Sequence, residues 1–260
     1  MTTKSEHKIF FQEALGYLAE RADMESVRRH MDDATEVELT SLVDVYTRLL
    51  WSLSNRQAMA NSIGDVWKLD DVLMGFEPEK VLGRYTHWDE LFDQVEAKVH
   101  PPGRMVKSNP RNFWVQFCKG TLDGAKFLAA FGTLDKFEEF VDGFYLNDDL
   151  KQELPHVVAR QIHGLGFALA CDFLKELGYT DYAKPDVHLK AIMSGVGFSD
   201  GSDQDTFRAV ISVAGDVGET PYAVDKALWL IGSGFLYNDG DMFKTNRAEF
   251  IKRARGALRG

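Results

Sequence analysis

The chain has 260 residues, 45% of them hydrophobic, with 40 acidic against 30 basic side chains and a formal net charge of -10. That length buries one large core or two modest ones, and the acidic balance excludes a surface coated for nucleic acid while leaving room for a local basic patch. With only Cys118 and Cys171 present, a disulfide framework, a four-cysteine iron-sulfur cluster and a standard structural zinc site are excluded.

In chain order, the polar start MTTKSEHK lacks the apolar core of a secretory signal. No apolar run reaches the roughly 18 residues of a membrane span, so no membrane partner and a cytoplasmic location are expected. Phe10, Phe11, Ala14, Leu15 and Leu18 recur at helical spacing, as do Leu39, Leu42, Val43, Tyr46, Leu49 and Leu50, and then Leu91, Val95 and Val99. Strand alternation is nearly absent. Asp23, Thr86 with Asp89, and Asp203 read as helix starts, and Gly75, Gly132 and Gly178 as helix stops. The stretch HPPGRMVKSNPR, His100 to Arg111, reads as an exposed loop that collects Arg104, Lys107 and Arg111.

The most informative stretch runs from Ile162 to Ile192. A helix over Glu153 to Gln161 is followed by Gly164-Leu165-Gly166, whose glycines allow a sharp turn, and by an apolar helix from Phe167 to Leu177. The second helix starts with unpaired amides and a positive dipole end at the turn, an arrangement that suits a phosphate. Blandly read, it is only a tight connection between packed helices. Lys184-Pro185-Asp186-Val187-His188 then opens another helix, with Asp186 in its first turn or at its cap and Val187, Ala191 and Ile192 expected in the core. Taken alone, Asp186 reads as an ordinary N-cap.

Together, the Gly164-Leu165-Gly166 hairpin and Asp186-Val187-His188 resemble the helix-hairpin-helix DNA glycosylase superfamily, which includes endonuclease III and the 3-methyladenine and 8-oxoguanine DNA glycosylases. LLWSLSNRQA, Leu49 to Ala58, is similar to the helix end that carries a Ser-Gln-Gln stretch in that family, with Asn55-Arg56 departing from it and Gln57 matching. DKALWLIGSGFLY, Asp225 to Tyr237, resembles its late helix and glycine, without the cluster-binding cysteines of some members. The similarity spans roughly residues 40 to 237. It implies an all-α fold of two helical lobes, residues 40–180 with the helix-hairpin-helix and residues 1–39 plus 181–260 with the aspartate, and an active-site cleft between them.

The resemblance implies a DNA N-glycosylase of base excision repair acting on double-stranded DNA that contains a damaged base, a modified purine being the expected lesion, and working as a monomer. Asp186 would stabilise positive charge on the sugar and orient water. Gly164, Leu165 and Gly166 would hold a backbone phosphate, with or without a monovalent cation at the backbone of Gly164 and Gly166, and Gln57, Arg56 or Asn55 would fill the gap left by the flipped base. Arg104 and Lys107 would add phosphate contacts. Family members that also cleave the strand carry a lysine two residues after the second hairpin glycine; here Ala168 stands there, which implies a monofunctional enzyme. Two alternatives stay open: a bifunctional oxidised-base glycosylase and lyase with a displaced lysine, Lys184 or Lys190, or a non-catalytic helix-hairpin-helix DNA-binding protein. His163 and His188 read as packing or hydrogen-bonding residues, no metal ligand is assigned, and each of the five tryptophans reads as core, Trp51 being the one that lies close to the wedge in sequence. The tail from Lys244 to Gly260 carries six basic residues against Glu249, suited to phosphates or to the acidic body of the protein.

Overall fold

The computed structural model describes residues 2–32, 37–56, 65–238 and 241–260. Among them, thirteen α-helices make up nearly all the regular structure. In chain order these are α1 (Lys4–Ala19), α2 (Met24–Asp32), α3 (Leu42–Ser54), α4 (Pro78–Arg84), α5 (Trp88–Val99), α6 (Phe113–Ala129) and α7 (Leu134–Asp142). There follow α8 (Asp148–Gln161), α9 (Phe167–Glu176), α10 (Val187–Val196), α11 (Asp203–Val217), α12 (Pro221–Ser233) and α13 (Arg247–Ala257). One antiparallel ribbon, β1 (Phe235–Asn238) with β2 (Asp241–Lys244), departs from the all-helical reading. Its sequence signal is Asp239-Gly240 between two short apolar runs, a hairpin pattern. No described helix is long and apolar enough to cross a membrane.

The chain divides into two compact units, residues 38–173 and residues 1–37 joined with 174–260, with the boundary inside α9. The first is organised on α6, against which α3, α4, α5 and α8 pack. Trp114, Phe117, Leu122 and Leu128 of α6 are buried, and Tyr46 of α3 donates its hydroxyl hydrogen bond to the Thr121 carbonyl at 2.9 Å. Burying aromatic and leucine side chains at roughly 25 cal/mol per Å² of apolar surface is what holds these helices together.

The second unit is organised on α12, which touches α1, α2, α10, α11 and α13. Phe10, Tyr17, Leu189, Ile192, Leu228 and Phe250 form the centre of its core. Phe250 and Ala254 bury one face of the basic tail, while Arg253 meets Glu13 and Glu20 at 2.6 Å each. That arginine opposes the acidic body of the protein.

Helix boundaries follow local chemistry. Thr3 with Glu6 and Ser41 with Asp44 form capping boxes, and Asn112, Thr133, Asn147 and Thr220 cap α6, α7, α8 and α12. Two expected starts shift by one residue. Glu90, rather than Asp89, reaches back to the Thr86 and His87 amides at 2.8 and 3.2 Å, because the N-cap is His87 rather than Thr86 and Glu90 is then the third residue of the helix. Ser202 caps α11, and Asp203 falls in its first turn. Val187, expected in the core, is 66% exposed. It sits two residues, about 200° around the helix, from the buried Leu189, whose stripe continues through Ile192 and Met193. Of the tryptophans, Trp114 is core but Trp67 is exposed, its edge set against Phe76.

Candidate functional site

The hairpin lies in the unit of residues 38–173. Between α8 and α9, Gly164 adopts φ +81°, a left-handed conformation that side chains disfavour, and the Leu165 amide donates to the Ile162 carbonyl at 3.2 Å. Ile162 and Leu165 are buried, so the turn is anchored from within, while Gly166 is exposed. Leu165 therefore serves the hairpin through packing. Its backbone amide is already engaged, which leaves the Gly164 and Gly166 amides, unpaired among the described residues, for an external acceptor. The Gly166 carbonyl accepts the Ala170 amide at 2.9 Å.

Two features around the hairpin are not legible in the sequence. A Cβ on Gly120 of α6 would lie 2.5 Å from the His163 carbonyl oxygen, so α6 approaches the hairpin backbone where only glycine fits. Gln116, one turn earlier, accepts a hydrogen bond from Arg56 Nη1 at 2.7 Å on the oxygen that lies 3.0 Å from His163 Nε2. This holds the Arg56 guanidinium against Gly164, where an added Cβ would come within 2.8 Å of Nη1. Arg56 thus brings a positive charge to the turn. Only the close-packed geometry reveals it, since the partners are 60 and 108 positions away along the chain. The His163 imidazole is held below its usual pKa by partial desolvation and by the charges of Lys119 and Arg56, with Asp123 acting in the opposite direction.

Asp186 lies in the other unit. Its backbone is extended, and Oδ1 accepts the amides of His188 at 2.8 Å and Leu189 at 3.0 Å, so it is the N-cap of α10. The Asp186 side chain receives no other hydrogen bond from the described residues, which leaves Oδ2 bare on a half-buried side chain. The preceding turn is tied down on both sides. The Asp186 amide donates to the Lys184 carbonyl at 2.7 Å, and the Lys184 amide donates to Asp225 Oδ2 at 2.6 Å. Asp225 is 1% exposed and also accepts from Lys175 Nζ at 2.9 Å. Burial raises its carboxyl above the usual carboxylate range, with the Lys175 charge the main opposing influence. On the far side, Gly232 of α12 lets α10 approach so closely that a Cβ there would be 2.5 Å from His188 Cβ, and Arg247 Nη1 reaches the Val187 carbonyl at 3.3 Å.

The remaining sequence candidates are dispersed. Gln57 lies outside the described residues. Asn55 is exposed at the end of α3, its amide nitrogen 3.4 Å from Asp172 Oδ2, and Trp51 is half-buried in α3. Arg104 is exposed in the loop, and its carbonyl accepts from Asn112 at 3.0 Å. Lys107 is engaged with Asp93 at 2.6 Å, an exposed ion pair of the kind worth about 0 to 1 kcal/mol. Lys190 pairs with Asp203 at 2.8 Å. Cys118 and Cys171 are both buried in the core. Among the described residues no group of three or more His, Cys, Asp and Glu side chains is placed to hold a metal ion. Comparison with protein-family models, curated proteins and solved structures produced no match.

Proposed function

We propose that this protein is a monofunctional DNA N-glycosylase that hydrolyses the bond between the sugar and a flipped, damaged base, with a modified purine as substrate class. The reading rests on the resemblance of Ile162 to Ile192 to the helix-hairpin-helix glycosylases, and the observation that carries it is Asp186. Two amides at 2.8 and 3.0 Å fix one of its oxygens, while the other oxygen is left bare. A carboxylate held this way stabilises an oxocarbenium-like sugar and accepts a proton from attacking water.

The bond from C1' to the base nitrogen breaks, water supplies the oxygen that joins C1', and the base leaves with a proton. In this reading the hairpin turn, with the Gly164 and Gly166 amides and Arg56 beside them, holds a strand phosphate, and a monovalent cation would use the backbone oxygens there. The wedge falls to Gln57 or Asn55, because Arg56 is committed to Gln116. Ala168 at the hairpin and the pairing of Lys190 with Asp203 favour water over an amine as nucleophile.

The test is a panel of duplexes that each carry one damaged base, scored for abasic sites revealed by alkali. Wild-type protein should excise at least one lesion without cleaving the strand and without a borohydride-trapped adduct. Asp186→Asn should slow excision by about a hundredfold or more while duplex binding persists. Binding without excision of any lesion would leave a non-catalytic DNA-binding protein, and a trapped adduct that disappears on replacing Lys184 would make the enzyme bifunctional.

A further inference from the structure

In the unit of residues 38–173, one cleft of about 220 Å³ lies beside the hairpin but is separate from its amides. Lys119, Asp123 and Lys126 of α6 enter it, together with Trp88 from the start of α5 and His163 from the hairpin. The balance of charge is positive. Lys119 forms no ion pair with any described residue; its ammonium instead lies 5.1 Å from the centroid of the Trp88 ring. Asp123 is the one carboxylate in the lining, and it is partly occupied. Its Oδ2 accepts the His163 amide at 3.2 Å, and its Oδ1 is 4.0 Å from Lys126 Nζ. A pair that long at the surface is weak, so Lys126 is available to a stronger acceptor. The Thr86 and His87 amides contribute nothing here, because Glu90 already takes them.

On a chain with net charge -10, two lysines without strong partners facing one cavity mark a seat for an anion. We propose that the cleft between α5 and α6 binds a phosphate group, with Lys119 and Lys126 as its ligands and His163 at its rim. Two lysine ammonium groups act as point charges and suit a phosphate approached from one side. Trp88 offers an apolar face next to it, which suits a phosphate that carries a sugar and base. Its source is either the backbone of a DNA strand or a free nucleotide. The inference needs no glycosylase activity, so loss or retention of excision in Asp186→Asn leaves it untouched.

The test compares wild-type protein with the Lys119→Gln, Lys126→Gln double variant and its charge-keeping Lys→Arg counterpart, after thermal melts establish that all are folded. Two titrations are run, one with dAMP and one with a short undamaged duplex over a range of salt. If the cleft takes a strand phosphate, the glutamine variant binds duplex about tenfold more weakly, and its salt slope is shallower by about 0.9 for each phosphate that it no longer neutralises, with arginine restoring both. If it takes a free nucleotide, dAMP binds the wild type, shifts the Trp88 indole and His163 imidazole NMR signals, and fails to bind the glutamine variant. Those NMR shifts are read on unmodified protein and hold even if a variant misfolds. Unchanged duplex affinity and salt slope together with no dAMP-induced shift would overturn the proposal.

Discussion

The carboxylate of Asp225, buried in α12, accepts the backbone amide of Lys184 across 2.6 Å and thereby anchors the turn that delivers Asp186 to the start of α10. The same oxygen holds the Lys175 ammonium. Asp225→Ala would remove both interactions at once and deprive the Lys175 ammonium, which also lies 3.6 Å from Glu176, of its buried counter-charge, at a cost of about 3 to 5 kcal/mol. Asp225→Ala combined with Lys175→Met should recover part of that stability, since no charge is then left unpaired. Urea denaturation checks this, and a cost below about 1 kcal/mol for the single variant would mean that water reaches the pair.

Asp186 carries a separable structural duty. Asparagine caps a helix as well as aspartate does, whereas alanine costs about 1 kcal/mol. Asp186→Asn should therefore match the wild type in denaturant midpoint, and Asp186→Ala should fall below it. Any fall in excision by the asparagine variant is then chemical rather than structural. Equal stability of all three proteins would show that the capping bonds to His188 and Leu189 do not hold the start of α10.

Three glycines around the hairpin should respond differently to a single methyl group. At Gly120 the methyl meets the His163 carbonyl at 2.5 Å, so backbone must move, and overpacking of this kind costs about 1 to 3 kcal/mol. Gly164→Ala is strained by φ +81° and crowds Arg56 as well. Gly166→Ala meets nothing within 4 Å and should leave stability within about 0.5 kcal/mol, while weakening DNA binding because the methyl stands where a phosphate would approach. Chemical denaturation and duplex titration of the three variants test the order, and a Gly120 variant as stable as the Gly166 variant would contradict the close approach of α6.

His163 should titrate below the usual histidine value of about 6.5, measured by NMR. The unfolded chain then binds the proton more readily than the folded one, so the contribution of this group is present at neutral pH and is lost as pH falls from about 6.5 through the folded pKa. Because the residue is exposed, the effect on stability is small. Replacing Lys119 by glutamine should move the titration upward, since one of the nearby positive charges is gone. A midpoint at or above 6.5 in the wild type would show that desolvation and these charges do not act on the ring.

What the sequence determined by itself is local. Helical periodicity, the turn at Gly164, the stop at Gly178 and the N-cap at Asp186 depend on interactions between residues a few positions apart, which spacing and residue type express directly. Even locally, the cap of α5 moved from Thr86 to His87, and helical phase turned Val187 out to solvent. Which distant residues meet was decided only by the tertiary structure. Arg56 reaches Gly164 because Gln116 of α6 holds it there, and Asp225 reaches Lys184 across 41 positions because α12 runs through its unit's core. Gly120 and Gly232 have no turn to make, and read along the chain they are merely weak helix formers. They matter because another segment packs against each of them, and that closeness is set by the packing of whole helices, whose energy is shared among many side chains and written in no single motif.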